Sequence, residues 1–218
     1  MSLVILVPML GRPHTVAPLL ASIRDATPDA QVLFALTPDD DAVIQAVVEA
    51  VGNDVGPSDF YGVDREPRGD YARKINVGIR HTTEDHIFTG ACDLKFRPGW
   101  YEAAVARLTE GIGVVGTNDL SPRAAATHFL VTRSYVEQFG TIDEPGKFFH
   151  EGYPHEWVDD EAIGTAQYRK AYAYADDSIV EHMHPAWGKA DWDDTYRRMG
   201  QRMRDGQTLF NRRRSLWT

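Results

Sequence analysis

The sequence predicts an α/β protein with a mostly parallel central sheet, flanking helices and a C-terminal helical tail. Short, continuous apolar runs recur in the first half of the chain, beginning with LVILVP (3–8) and QVLFAL (31–36). Segments with helical spacing separate these runs, and this alternation is typical of right-handed crossovers between parallel strands. A length of 218 residues is enough for one such domain with a sizeable core.

The individual elements follow from their local patterns. TVAPLLASIRDA repeats its apolar residues at helical spacing, and TPDDDAVIQAVVEAVG has aspartates suited to a helix start and Gly52 suited to its end. Pro98 suits the first turn of a further helix. Further strands are expected at 59–64, 86–91 and 112–119, within 126–140, where a strand runs into a helix, and within 172–189. Further helices are expected at 69–82, 98–111, 156–171 and in the tail.

The composition limits the expected partners and location. A formal net charge of −9 makes nucleic acid an unlikely partner, although the tail is locally basic and is either a solvated helix face or a docking surface. No apolar run is long enough to cross a bilayer, and MSLVILVPML is interpreted as a first strand rather than a signal peptide. A single cysteine rules out an internal disulfide and fits a reducing compartment, so we expect a cytoplasmic protein.

Asp93 stands alone in TGACDLKFRPGW (89–100), between an apolar run and a Pro-Gly break. A buried, unpaired carboxylate is costly. Asp93 therefore either caps the following turn or binds a hard cation, Mg²⁺ or Mn²⁺, that substrate phosphates also hold. Ligands of parallel sheets bind beyond the carboxyl ends of the strands, where PMLGRP, TPDDD and CDLKF are expected to meet.

His182 and His184 lie near the end of the last predicted strand. Because they are two residues apart, they point to the same face of that strand. They are either structural or metal ligands, and one of them can instead contact a phosphate.

Asp159, Asp160 and Glu161 form an acidic run at a predicted helix start. The run is either charge that the helix dipole favours or the source of a general base. Neighbouring carboxylates raise one another's pKa, which suits a base that works near neutral pH.

A loop-to-helix junction in GDYARKINVGIRHT (69–82) carries Arg73, Lys74 and Asn76. These residues form either a solvated helix face or an anion site at a helix N-terminus. The chain has no P-loop, no G-x-G-x-x-G fingerprint and no G-x-S-x-G elbow, so the functions linked to those motifs are not supported. Cys92, which has no evident partner histidine in the sequence, is interpreted as a small packing residue.

Taken together, these stretches resemble the GT-A fold glycosyltransferases, specifically the family 2-like group that uses nucleotide sugars. VILVPMLGRPHTVAPLLASI is similar to that family's first strand, arginine-containing loop and helix. The most specific part is GDYARKINVGIRHTTEDHIFTGACDLKFRPGW, where a Lys-x-Asn-x-Gly helix leads to the strand with the acidic metal motif. EWVDDEAIGTAQYRKAYAYADDSIVEHMHP resembles the later acidic motif and the strand that ends in a metal-binding histidine. The resemblance extends over most of residues 3–189.

The resemblance implies a role for each matching residue. Asp93 corresponds to the last acid of the family's Asp-x-Asp motif, which holds a divalent metal, Mn²⁺ or Mg²⁺. Asp159 corresponds to the catalytic base, and the catalytic run continues through Asp160 to Glu161. The metal ligands implied are Asp93, His182 and His184. The nucleotide-sugar-binding residues implied are Pro8, Arg12, Thr37, Asp39, Asp70, Lys74, Asn76 and Cys92.

The implied reaction is transfer of a sugar from a nucleoside-diphosphate sugar to an acceptor hydroxyl, with inversion at the anomeric carbon. UDP is the default base, and the acceptor is a glycan, a protein or a small molecule. Trp100, Trp157 and Trp187 are expected on the acceptor side because aromatic rings stack on sugars, although any of them can equally be core.

We expect one catalytic domain over 1–190, with a nucleotide-sugar-binding half (1–119) and an acceptor half (120–190), and a helical extension over 191–218. Three alternatives stay open at this point. They are a nucleotidyltransferase, a metal-dependent hydrolase that uses Asp93 with the two histidines, and a non-catalytic module that binds a sugar nucleotide or a glycan.

Overall fold

The fold is that of a computed structural model, in which one mixed sheet lies between two layers of helices. The residues it describes are 1–53, 56, 58–66, 69–123, 125–197 and 199–218. The strands of this described part are β1 (Leu3–Pro8), β2 (Gln31–Leu36), β3 (Ser58–Gly62), β4 (His86–Thr89), β5 (Leu94–Phe96), β6 (Val114–Asn118), β7 (Phe129–Thr132) and β8 (Tyr172–His182). The helices described are α1 (Val16–Ala26), α2 (Asp41–Gly52), α3 (Tyr71–Arg80), α4 (Trp100–Val105), α5 (Arg133–Gln138), α6 (Val158–Tyr168), α7 (Asp194–Arg197) and α8 (Met199–Arg213).

The described strands form one sheet in the order β3-β2-β1-β4-β7-β6-β8-β5. The pairs β2–β3, β1–β2, β1–β4 and β6–β8 are parallel, whereas β7 is antiparallel to β4 and β6, and β5 is antiparallel to β8. The carboxyl ends of β1, β2 and β4 therefore lie along one edge of the sheet. The loops that follow these strands meet at that edge and form the site described below.

The two faces of the sheet belong to two separate apolar clusters. Along β1 the side chains alternate between the faces, so Ile5 packs with α1, α2 and α4 while Leu6 packs with α3, α5 and α6. Both residues are at most 1% exposed. A strand that is buried on both faces is apolar throughout, which explains why LVILVP has no alternation of polar residues.

The sequence-based fold class is confirmed, and the differences lie at element boundaries. The helix expected over 98–111 is short, Trp100–Val105, and the strand expected over 86–91 ends at Thr89. β5 was not predicted, because only three residues of CDLKF are in the strand. These residues pair with the distant strand β8, with Leu94 opposite His182. No helix of the described residues is long and apolar enough to span a membrane.

Candidate functional site

The site is a cavity of about 490 Å³ at the carboxyl ends of β1 and β4. Its floor is formed by the residues that follow β1, its sides by the loop before α3 and the start of α6, and its outer wall by the C-terminal segment. The sequence-predicted site residues that line it are Pro8, Arg12, Asp70, Lys74, Cys92, Asp93, Trp157, Asp159, Asp160, His182, His184 and Trp187. The fold thus brings most of the predicted set into one place.

Within the cavity, Asp93 is surrounded by hydrogen-bond donors. Its Oδ2 accepts from Nη1 of Arg12 at 2.8 Å and from the hydroxyl of Tyr196 at 2.6 Å. Nε2 of His182 lies 3.5 Å from the same oxygen. Burial alone would raise the pKa of Asp93, but His182, Arg12 and Tyr196 together hold that pKa well below its ordinary value. Asp93 is therefore a fixed anion whose charge is neutralised within the protein.

Arg12 links Asp93 to the C-terminal segment. Its Nε lies 2.7 Å from Oδ2 of Asp193, and its Nη2 donates to Oδ1 of the same residue at 3.1 Å. The Tyr196 ring lies over the guanidinium, with the ring centroid 3.9 Å from Cζ. The Arg12 side chain is only 5% exposed, so this cation is enclosed between two carboxylates and an aromatic ring.

The predicted metal ligands do not form a metal-binding group in this arrangement. Among the described residues, no three or more histidine, cysteine, aspartate or glutamate side chains are grouped so as to hold a metal ion. The Nδ1 of His184 accepts from the backbone N–H of Ala186, and Asp93 has a guanidinium at 2.8 Å, where it would repel a second cation. The residues as placed therefore do not fit a divalent metal.

Asp159 and Asp160 lie in the first turn of α6 and also line the cavity. Burial raises the pKa of Asp159, the adjacent Asp160 carboxylate raises it further, and the result is about 7 although Arg123 opposes the shift. Asp160 is paired with Arg123 at 3.2 Å, which leaves Asp159 as the carboxylate without an ion-pair partner among the described residues. A half-buried carboxylate with a pKa near neutrality is suited to accept a proton at physiological pH.

Lys74 anchors the floor of the cavity. Its Nζ donates to the backbone oxygen of Met9 at 2.7 Å and to Oγ1 of Thr37 at 2.6 Å, and it lies 3.4 Å from Oδ2 of Asp70. The side chain is fully buried. Lys74 therefore joins the ends of β1 and β2 to the start of α3, and it is not part of a solvated helix face.

Glycine is required at position 69, immediately before α3. The residue has a φ of +131°, and a Cβ at this position would collide with the backbone oxygen of Pro154. This close approach places the 154–157 loop against the start of α3, so that both line the cavity.

Two of the three predicted acceptor tryptophans lie in the cavity wall. The Trp157 indole N–H contacts the sulfur of Met203 in α8 at 3.1 Å, and its backbone adopts a φ of +72° just before α6. The Trp187 ring packs edge-on against His182, with 5.1 Å between centroids. Both rings are half-buried, which is the exposure expected of a surface that receives a sugar.

Five predicted site residues do not line the cavity. Trp100 is fully buried in the core and donates its indole N–H to Oγ1 of Thr27, so its acceptor role is withdrawn. Asn76 holds the 148–151 loop through bonds to Phe148 and Phe149. The remaining three are Thr37, which accepts from Lys74, Asp39, which is exposed and 3.5 Å from Arg65, and Glu161, which is bonded to Tyr153 and Arg213.

The C-terminal segment supplies wall residues that sequence reasoning assigned to an appended helical extension. Asp193 and Tyr196 reach the Arg12–Asp93 pair, and Met199, Arg202 and Met203 complete the outer wall. The aromatic and acidic residues of WDDTY, which precede the basic run, were the available signal. The buried His128 also lines the cavity, and its burial, helped by the charge of His182, lowers its pKa to about 4.

Comparison with known proteins gives matches only at the level of structure. No protein-family profile matches the chain, and no curated protein matches its sequence significantly. Mannosyltransferase PcManGT from Pyrobaculum calidifontis, solved with GDP-Man and Mn²⁺, superposes with a TM-score of 0.62 at 13% identity, over 98% of this chain and 75% of that one. S. aureus TarS (1–349) superposes with a TM-score of 0.63 at 11% identity, over 96% of this chain and 72% of that one. TarS has also been solved with UDP.

This chain has the GT-A fold. The GT-A fold prediction from the sequence is thereby confirmed. The structure of 4-diphosphocytidyl-2C-methyl-D-erythritol synthase from Anaerococcus prevotii also matches, with a TM-score of 0.51 at 8% identity, over 81% of this chain and 90% of that one. Because the same fold supports more than one reaction, the reaction has to be argued from the site.

Proposed function

We propose that this protein is a glycosyltransferase that moves a sugar from a nucleoside-diphosphate sugar, with UDP as the default nucleotide, to an acceptor hydroxyl. One observation carries the proposal. A single cavity at the carboxyl ends of the strands is lined by both a guanidinium and a carboxylate of raised pKa. Transfer from a nucleotide sugar needs a cation beside the leaving diphosphate and a base beside the attacking hydroxyl.

The donor half of the cavity is assigned to the residues around β1, α3 and the end of β4. Pro8, Asp70 and Cys92 line it, and Lys74 fixes their relative positions through its bonds to Met9 and Thr37. Arg12 faces the position of the diphosphate. This assignment follows the expected division into a nucleotide-sugar-binding half over 1–119 and an acceptor half over 120–190.

In the proposed reaction, Asp159 removes the proton from the acceptor hydroxyl as its oxygen attacks the anomeric carbon. The bond from that carbon to the β-phosphate oxygen breaks on the opposite face, so the configuration inverts and a nucleoside diphosphate leaves. Trp157 and Trp187 provide apolar ring surface for the acceptor. Arg123 keeps Asp160 paired, which leaves Asp159 to act as the base.

A test of the function measures which product leaves the donor. The purified chain is incubated with UDP-hexoses and GDP-mannose, together with a pool of small glycans, and released nucleoside diphosphate and pyrophosphate are assayed separately. The proposal expects UDP or GDP release from one donor, and at least a hundredfold loss in Asp159→Asn. An Asp159→Asn protein that keeps full activity would remove Asp159 as the base.

The same assay separates the alternatives. A nucleotidyltransferase releases pyrophosphate from a nucleoside triphosphate, and the structural match to 4-diphosphocytidyl-2C-methyl-D-erythritol synthase keeps this candidate open. A hydrolase built on Asp93, His182 and His184 has less support, because these residues do not form a metal-binding group. Donor binding without any turnover would indicate a non-catalytic module.

A further inference from the structure

We propose that Arg12 is the cation that binds the donor's phosphates in place of a divalent metal, and that Asp193 occupies this anion position until the donor displaces it. The inference rests on the proposed function, because it names the group that receives the diphosphate in the same site. It replaces the metal role that the family resemblance implies for Asp93.

The donors around Asp93 all meet one of its two oxygens, Oδ2. One oxygen of Asp93 accepts from Arg12 and Tyr196, and His182 lies at 3.5 Å. A metal that bound Asp93 would share this carboxylate with the Arg12 guanidinium, whose positive charge would repel it. Asp93 is therefore placed to orient Arg12, and we assign it as a positioning residue.

The two edges of the Arg12 guanidinium have different partners. Its Nη1 is bonded to Asp93, and Nε and Nη2, which form the other edge of the guanidinium, lie against the carboxylate of Asp193. Nη2 donates to that carboxylate, whereas Nε lies 2.7 Å from it but makes no hydrogen bond among the described residues. This two-nitrogen edge matches two oxygens of a phosphate as well as it matches a carboxylate. The carboxylate of Asp193 thus stands where a phosphate would make the same pair of contacts.

Asp193 lies in the short segment before α7 and is more exposed than the Arg12 cation that it contacts. Asp193 immediately precedes α7, a four-residue helix, and its side chain is 33% exposed although Arg12 is 5% exposed. Trp192, the preceding residue, is 50% exposed and contributes little to the core. Exchange of Asp193 for a phosphate keeps an anion on this edge of Arg12, while Nη1 stays paired with Asp93.

The Tyr196 side chain covers one face of the Arg12 guanidinium. The Tyr196 ring lies 3.9 Å above the guanidinium, and its hydroxyl is bonded to Asp93. The backbone N–H of Tyr196 donates to Oδ1 of Asp193 at 3.0 Å, so Asp193 is tied to Tyr196 as well as to Arg12. Release of the Asp193 carboxylate therefore frees the Nε–Nη2 edge of Arg12, while the Tyr196 ring still covers one face of the guanidinium.

The experiment is isothermal titration of inorganic pyrophosphate, UDP and GDP into the full chain in EDTA. It is performed on the wild type, Asp193→Asn, Arg12→Gln and Arg12→Lys. The matched control is Asp194→Asn, which removes the neighbouring carboxylate, whose side chain is 77% exposed and pairs with Arg197. The UDP and GDP titrations are repeated with Mn²⁺, and the fold of each variant is checked by circular dichroism and thermal unfolding.

We expect binding in EDTA that Mn²⁺ strengthens by less than about twofold. Asp193→Asn should bind about tenfold more tightly, because the site no longer has to give up a charge-assisted pair. Arg12→Gln should bind at least about tenfold more weakly, with partial recovery in Arg12→Lys, which keeps the charge but loses the fork. Asp194→Asn should match the wild type.

Three outcomes would overturn the inference. They are a strict requirement for Mn²⁺, unchanged affinity in a folded Asp193→Asn protein, and no anion binding in EDTA by either the wild type or Asp193→Asn. Should Arg12→Gln fail to fold, the gain of affinity in Asp193→Asn decides the matter. Pyrophosphate binding that depends on Arg12, with no preference for UDP or GDP, supports the anion site and contradicts the nucleotide-sugar function.

Discussion

Glu161 was assigned to the catalytic run, but its contacts predict a role in holding α8 against α6. Its carboxylate accepts from the Tyr153 hydroxyl at 2.7 Å and from Nη2 and Nε of Arg213 at 2.8 and 2.9 Å. The side chains of Glu161 and Arg213 are 5% and 12% exposed. Glu161→Ala would leave a nearly buried guanidinium and a buried hydroxyl without this partner.

The expected loss is about 3 kcal/mol in the free energy of unfolding. Breaking a buried ion pair from one side costs roughly 3–5 kcal/mol, and the lower end applies because Arg213 keeps Asp143 at 3.0 Å. For a chain of this size the loss corresponds to a decrease of about 6–12 °C in Tm. Urea unfolding followed by circular dichroism measures the free energy, and a thermal scan measures Tm.

Asp143→Ala is the matched control, since it removes the other carboxylate of Arg213. The Asp143 side chain is 47% exposed, so we expect a loss below about 1 kcal/mol. The reasoning is refuted if both variants lose the same small amount. It is also refuted if Glu161→Ala keeps its stability and loses transferase activity, since that result would return Glu161 to the catalytic set.

Three further predictions concern the cavity. Burial and Asp160 raise the pKa of Asp159 to about 7, so the fraction of Asp159 that can accept a proton increases with pH. We therefore expect kcat/KM to rise about tenfold from about pH 6 to about pH 8. A flat profile in this range would contradict the assignment of Asp159 as the base. Lys74→Met should lower the free energy of unfolding by about 3 kcal/mol in urea titrations, since it leaves Asp70 with no cation at 3.4 Å, and a neutral effect would refute the anchoring role. Trp187→Ala should raise the KM for the acceptor more than the KM for the donor at unchanged Tm, and an equal effect on both would remove Trp187 from the acceptor wall.

The buried strands could be predicted from the sequence because they leave a strong local signal. The bounds of Leu3–Pro8 and Gln31–Leu36 match the apolar runs residue for residue. The strand Leu94–Phe96 could not be found this way, since its three residues are held by pairing with β8, more than eighty residues later in the chain. A local apolar run therefore predicts a strand that is buried on both faces of the sheet. It does not predict a short strand that forms only by pairing with a distant strand.

The same distinction between local and long-range signals separates the site residues that the sequence could identify from those that it could not. Asp93 and Asp159 were identifiable because each stands at the end or start of a predicted element, where parallel sheets bind ligands. Asn76 and Glu161 do not line the cavity, since Asn76 bonds to buried backbone groups and Glu161 bonds to Arg213. The sequence alone does not distinguish a polar residue with such a structural partner from one that contacts a substrate. Asp193 was not predicted, because its contact with Arg12 joins residues that are 181 positions apart in the sequence.

The two carboxylates of the cavity differ in environment, and this difference assigns their roles. The pKa of Asp93 is held well below its ordinary value by His182, Arg12 and Tyr196 against the effect of burial, so Asp93 stays charged at every physiological pH and cannot exchange protons with a substrate. The pKa of Asp159 is raised to about 7 by burial and Asp160, so Asp159 can take up a proton during turnover. A fixed anion orients a cation, whereas a titrating carboxylate moves a proton. Under the proposed function, Asp93 therefore orients Arg12, and Asp159 accepts the proton of the attacking hydroxyl.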